Sequence, residues 1–362
     1  MRILEIVYNL SSGGLERFVV DLANQLSKTS DVTIVSIKDD GMPKNSFYKS
    51  EIGNNVRYKR FDSKISFRYF FDIYIFLIKE KPNVVHFNGT NLPLYFLLPI
   101  LFYRKCKYFQ TIHIDVSISD STRSFFFLKQ FLYRLGFVKI CAISKYNQKK
   151  LNETFNINNT ITIVNGRNNM VVSPNIYNVR KEIDLYKATK NTICFIHIGR
   201  CAIQKNQTML IEAFNQFSKK YDSILLIIGN GFDNQLGKSL KMIANDKVFF
   251  LGEKNNIADW LCCSDAFCLS SLYEGLPISL IEAFSQQCIP ISTPVSGCID
   301  YIIDGETGYI SDNFNTNNYL ETMERYINNR NKINKKLLLK LYNENFTMKH
   351  CTNNYINWFN KK

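Results

Sequence analysis

The chain alternates between two periods. Short runs rich in β-branched and aromatic residues recur at Ile3–Tyr8, Val32–Ile37, Val56–Phe61, Val84–Phe87, Tyr108–Ile112, Ile140–Ile143 and Ile161–Val164. Helical patterns separate most of them. The clearest spans Leu15–Leu26, where Leu15, Phe18, Val19, Leu22, Ala23 and Leu26 share one face. Strands alternating with helices predict a parallel, doubly wound α/β sheet. Residues 165–190 are polar and irregular and contain Pro174. Beyond them the alternation restarts. Strands are predicted at Ile193–Ile198, Ile224–Ile228, Val248–Leu251, Ala266–Leu269 and Ile289–Ser292, with helices at Gln207–Phe217 and Pro277–Gln286. From Asn315 the tail reads as helices, Lys332–Tyr342 most strongly.

The pattern therefore predicts a first domain over 1–170, a linker over 171–190 and a second domain over 191–345. Residues 346–362 form a last helix returning toward the first domain. The length of 362 residues suits two domains of about 150–200 residues better than one core. In open α/β sheets ligands bind beyond the carboxyl ends of the strands, so two such domains facing each other would enclose a cleft.

Composition is globular, with 46% hydrophobic and 21% charged residues. The formal charge is +14, and residues 1–170 carry most of it, with 24 Lys and Arg against 13 Asp and Glu. A basic first half attracts an anionic membrane surface, nucleic acid or a phosphorylated substrate; general solubility is the plainer explanation. No RNP-like or helix-turn-helix pattern accompanies the charge, which argues against nucleic acid as the partner. The ten cysteines show no metal-ligand spacing, and Cys141, Cys194, Cys268 and Cys288 sit in apolar runs, as buried thiols do. The start MRILEIVYNL lacks a basic segment followed by an apolar one and reads as a strand, so a cytoplasmic protein is expected.

The longest apolar run, Leu92–Tyr103, would span about 18 Å as a helix, short of a bilayer core, and contains Pro93 and Pro99; a buried helix is expected there. Phe67–Ile78 and Phe125–Tyr133 mix aromatics with Arg68, Lys129 and, just beyond, Arg134. That mixture suits an interfacial surface and equally a core helix with snorkelling cations.

Chemistry concentrates in SSLYEGLPISLIEAFSQ, residues 270–286, between a strand and a helix. Gly275 permits a tight turn, Pro277 suits a first helical turn, and the free amides there can hold hydroxyls or phosphate. Glu274 and Glu282, eight residues apart, would reach different parts of one ligand. EGLPISLIE resembles the E-x7-E motif of the GT-B retaining glycosyltransferases known as family 4. The resemblance implies that Glu274, Gly275 and Leu276 face the donor sugar and that Glu282 faces the nucleotide ribose. Ile196–Arg200 with Lys205 and Asn206 resembles the family's diphosphate site. There Arg200 and Lys205 would neutralise charge growing on the departing nucleotide; alone, both would pass for surface cations. Ser12–Arg17 resembles the family's GGxER loop, placing Gly13 and Gly14 beside the donor phosphates and Glu16 and Arg17 toward the acceptor. G-x-G-x-x-G is absent there, which argues against a dinucleotide enzyme. Thr111–Asp115 resembles the T-x-H segment, placing His113 near the donor sugar, although a lone His is commonly structural. Ala142–Ser144 and Val164–Gly166 match two further landmarks, and Gly252, Lys254 and Ile257 belong to the loop near the base. The family often has Gly-Gly where this chain has Ser296-Gly297, with Asp300 as the acidic residue that follows.

The resemblance covers nearly the whole chain. It implies a GT-B fold, two Rossmann-like domains facing across a cleft, and metal-independent transfer with retention. The donor would be a nucleoside-diphosphate sugar, UDP-sugar favoured, and no general base is assigned. The acceptor would be a saccharide, lipid-linked if the basic first half meets the inner face of the plasma membrane, in bacterial surface polysaccharide synthesis such as capsule or lipopolysaccharide. Two rivals remain: a nucleotide-sugar epimerase of the same fold, and a non-enzymatic basic protein binding membrane or nucleic acid.

Overall fold

The strand-like runs become parallel strands in two separate sheets. The computed structural model describes residues 1–61, 67–114 and 125–361. They divide into one unit of residues 1–168 with 346–362 and a second of residues 169–345. In the first unit β1 (Arg2–Val7), β2 (Asp31–Ser36), β3 (Val56–Arg60), β4 (Val84–Asn88), β5 (Lys107–Ile112), β6 (Lys139–Ala142) and β7 (Ile161–Thr162) lie in the order β3-β2-β1-β4-β5-β6-β7. All neighbouring pairs are parallel. The polar β3, carrying Arg57, Lys59 and Arg60, occupies an edge, where charge discourages further pairing.

Strand alternation gives this sheet two different faces. Leu4, Ile6, Val85, Phe87, Tyr108, Ile112, Ile140 and Ala142 join one core with Tyr69, Ile73 and Leu77 of helix Phe67–Glu80. Leu92, Phe96, Ile100, Leu132, Tyr133, Leu151 and Phe155 complete that core. The connections after β3, β4, β5 and β6 therefore lie side by side on one face. Helices Gly14–Leu26 and Met348–Asn360 pack against each other. They cover the opposite face through Phe18, Tyr355, Trp358 and Phe359, with Trp358 and Phe109 centred 4.6 Å apart. Gly166 lets the two chain crossings run together. A Cβ there would lie 2.6 Å from Cys351 Cβ and 2.9 Å from Met348 Cα, and Arg167 and Thr347 form a parallel bridge beside it.

The second unit repeats the plan. β8 (Ile193–Ile198), β9 (Ser223–Ile228), β10 (Val248–Gly252), β11 (Ala266–Leu269), β12 (Ile289–Ser292) and β13 (Tyr309–Ile310) lie in the order β10-β9-β8-β11-β12-β13. Each sheet reverses its strand order once, at β1/β4 and at β8/β11, and crevices open at such points.

Three expectations change. Residues 171–190 are not a plain linker: they hold helix Ile176–Tyr186, which buries Val179 and Ile183 within the second unit. Leu92–Tyr103 is two short helices, Leu92–Tyr95 and Leu97–Phe102, broken at Phe96, and its end is exposed at Phe102. Each proline falls in a first turn, where a missing N–H removes no helical bond. Lys129 does not snorkel: it is fully buried and donates to Asn91 Oδ1 at 2.9 Å. All ten cysteines are free thiols. Among the described residues no helix is long and apolar enough to cross a membrane.

Candidate active site

In the second unit, the loops leaving β8 and β11 flank the switch point and are stitched together. Leu272 N donates to Gln204 O at 2.8 Å, Gln204 Nε2 to Tyr273 O at 2.9 Å, and Ser270 Oγ to Lys205 O at 2.7 Å. Between them Lys205 Nζ donates to Glu274 Oε1 at 2.5 Å, and Ser271 Oγ donates to the same oxygen at 2.7 Å. Both partners are largely buried, so the pair is shielded from screening solvent. Sequence reasoning placed Lys205 and Glu274 on separate ligand groups; the structure joins them and adds Ser271.

The loop from Gly275 is held by the residues where the motif departs from Gly-Gly. Ser296 Oγ donates to Glu274 O at 2.5 Å and lies 3.4 Å from Gly275 O. A Cβ on Gly297 would meet Gly275 O at 2.2 Å. Ser296 thus clamps the loop, while Gly297 keeps the space the clamp requires. Leu276 is buried. The helix begins at Ile278, one residue later than expected, with Pro277 as its cap in an extended conformation. Glu282 is buried further along it. Asp300 follows helix Ser296–Ile299 as its last-turn cap.

Arg200 is exposed, and its carbonyl accepts from Gln207 Nε2 at 2.8 Å. Gln207 Nε2 also lies 3.4 Å from His197 Nε2, while His197 Nδ1 donates to Cys268 O at 2.9 Å. Burial pushes His197 down to about 4, so a neutral ring bonded on both nitrogens braces the loop. Gly252 has φ +67 with open space around it, and its carbonyl accepts from Gly229 N at 2.9 Å. Lys254 is paired: Nζ lies 3.2 Å from Glu182 Oε1 and 4.8 Å from the centre of Trp260. Ile257 opens helix Ile257–Cys262.

In the first unit the candidate residues gather at the ends of β1, β4 and β5. Gly13 caps helix Gly14–Leu26, and Gly14 is exposed. The Glu16 carboxylate folds back over Gly13, as in a capping box. Arg17 is engaged within the unit. It pairs with Glu51 and with Asp21 (3.4 Å), and its guanidinium sits 5.4 Å from the centre of Tyr48. His113 packs on Phe18, ring centres 5.2 Å apart. Burial, reinforced by His86, pushes its pKa down to about 3, so it stays neutral. Asp115 of the T-x-H segment lies outside the described residues.

Asn88, at the end of β4, was missed. Its Nδ2 donates to Glu5 Oε2 at 2.7 Å, which leaves Oδ1 facing His113 Nε2 at 3.3 Å. An amide oxygen only accepts, so His113 carries its proton on Nε2 and keeps Nδ1 as an acceptor. Glu5 is shared with His86 Nδ1 at 2.8 Å, and His86 Nε2 meets Thr111 Oγ1 at 2.8 Å, itself 2.9 Å from Tyr355 OH. The available signal was a polar residue ending the apolar strand VVHFN. Among the described residues no group of three or more His, Cys, Asp or Glu side chains is placed to hold a metal ion.

The chain matches the family model for Glycosyltransferase Family 4 over residues 12–168 and that for Glycosyl transferases group 1 over residues 179–341. It is 34% identical to a capsular polysaccharide biosynthesis glycosyltransferase of Staphylococcus aureus over 33% of this chain and 34% of that one. It is 27% identical to an α-1,4-N-acetyl-D-galactosaminyltransferase of Campylobacter jejuni, whose name gives an undecaprenol-diphosphate-linked acceptor, over 86% of this chain and 84% of that one. Across four curated relatives the chain spans 34–60% of their length. The Anabaena protein HepE, solved with UDP and glucose, has the same fold, with a TM-score of 0.84 at 15% identity over 99% of both chains.

Proposed function

Because this chain belongs to the family 4 glycosyltransferases and has their GT-B fold, we propose that it moves a sugar from a UDP-sugar, with retention, to a lipid-linked saccharide in bacterial surface polysaccharide synthesis. The observation that carries the reading is the Lys205–Glu274–Ser271 cluster at the switch point of the second sheet. Donor diphosphate would draw Lys205 from Glu274 and free the carboxylate for the sugar hydroxyls. Exposed Arg200 would meet the same phosphates, and Glu282 the ribose. The anomeric carbon's bond to the phosphate oxygen breaks as the acceptor oxygen bonds on the same face. The acceptor proton passes to the departing phosphate oxygen, so no protein base is required. Arg200 and Lys205 stabilise the charge gained by the leaving nucleotide. They supply the charge a divalent ion would otherwise bring, and chelator leaves turnover unchanged on this reading. UDP is favoured as the donor nucleotide by analogy with HepE, and the lipid-linked acceptor by analogy with the Campylobacter enzyme.

The test is calorimetric titration of UDP, GDP and ADP into wild type and Glu282→Ala. UDP binds wild type, and the variant loses affinity at least tenfold, about 1.4 kcal/mol. No binding of any nucleotide would overturn the reading. Consumption of UDP-sugar to an isomeric UDP-sugar, without acceptor, would replace transferase by epimerase.

A further inference from the structure

Helix Phe126–Arg134 turns its cation inward and its aromatics outward. Lys129 is fully buried, whereas Phe127 is 83% and Phe131 47% exposed, one turn apart, and Leu135 continues the stripe. Burial of Leu132 and Tyr133 already gives this helix a core face, and the outer aromatics leave much of their surface uncovered. Large apolar residues contiguous on a surface mark something that covers them.

The neighbouring connections extend the stripe. Phe102, at the end of helix Leu97–Phe102, is 70% exposed. Arg104 just beyond it lies 4.0 Å from the centre of Phe137, which stacks on Phe131. On the other side, Phe126 stacks on Phe155 of helix Lys145–Phe155, whose Lys145, Tyr146 and Lys149 are exposed. Helix Phe67–Glu80, on the same face of the sheet, exposes Ile75 and Ile78.

The charge of this face selects its occupant. Residues 97–106, 126–135 and 145–155 hold seven Lys and Arg, of which Lys129 is buried, against one acidic residue, Glu153, which pairs with Lys150. A second copy of the chain would oppose like charge to like. An anionic bilayer offers phosphates to the cations and an acyl boundary to the aromatics. We propose that the outer face of helices Leu97–Phe102, Phe126–Arg134 and Lys145–Phe155 docks the first unit on an anionic phospholipid bilayer. Phe102, Phe127, Phe131 and Leu135 enter the interface, while Arg104, Arg134, Lys145 and Lys149 lie at the headgroups. This deepens the reading of a lipid-linked acceptor and rests on it only for its purpose, because the binding itself needs no acceptor.

Vesicle flotation tests it with the full chain and acceptor-free vesicles of phosphatidylcholine alone or with about two-fifths phosphatidylglycerol. The wild type floats with the anionic vesicles at least tenfold more than with the neutral ones, and 0.5 M salt reduces that difference. Phe127→Ser/Phe131→Ser and, separately, Lys145→Glu/Lys149→Glu each reduce anionic binding at least fivefold. Both keep wild-type circular dichroism and nucleotide affinity. Equal binding to both vesicle types, unchanged binding by both variants, or a wild-type dimer that the Phe variant dissolves in place of vesicle binding would overturn the proposal. UDP affinity measured on the same samples separates that failure from failure of the transferase reading.

Discussion

Lys129 shows how one residue can carry a pH-dependent cost. Burial pushes its ammonium from 10.5 down to about 8. Below pH 8 the lysine is charged both folded and unfolded, and the folded state bears the desolvation. Between pH 8 and 10.5 the unfolded chain holds a proton that the folded chain has released, so stability from this group rises with pH. Wild type should therefore gain on Lys129→Met by about 2 kcal/mol between pH 7 and 9.5 in urea unfolding; a gap that does not move with pH would contradict the assignment. Asn88 acts at the same scale, by orienting His113 and fixing its tautomer. Asn88→Ala should lower kcat by about 10- to 100-fold. UDP affinity should stay within about twofold, because Arg200, Lys205 and Glu282, proposed to hold the nucleotide, lie in the other unit. An equal fall in affinity and turnover would mean that the residue merely supports folding.

Among the elements, helix Met348–Asn360 has the largest consequence for the first sheet. Met348, Cys351, Thr352, Tyr355, Trp358 and Phe359 recur at three- and four-residue intervals and are buried. They cover the face that carries His86, Phe109 and Thr111. Trp358→Ala should cost about 3–5 kcal/mol of the first unit's stability, read by denaturant unfolding. A loss under about 1 kcal/mol would show that the helix can leave without harm. A last helix returning toward the first domain was expected from the sequence. Its place over β4 and β5 was not, because no local pattern tells a helix which strands of a sheet it will cover.

For the whole molecule, two units built to one plan predict separable responses. UDP at about a hundred times its Kd should stabilise the second unit by about 2.7 kcal/mol. Hydrogen exchange should slow in residues 199–206 and 270–282 and stay unchanged across β1–β3. Protection spread evenly over the chain would contradict a donor site confined to those loops.

The sequence by itself determined the strands, their alternation with helices and the loops that carry Arg200, Lys205 and Glu274, because hydrophobic period and turn chemistry are local properties. It also showed Gly166 and Gly297, though not why they must be glycine; that follows from close approaches to Met348 and Gly275. Residues 171–190 read as a linker because a helix with only Val179 and Ile183 buried has a weak apolar stripe. Tertiary structure alone decided that Lys205 pairs with Glu274, that Lys254 and Arg17 are engaged elsewhere, and that Lys129 faces inward while Phe127 faces out. Those outcomes depend on which loops the strand order sets side by side, and strand order is fixed by packing over the whole sheet rather than by any segment of the chain.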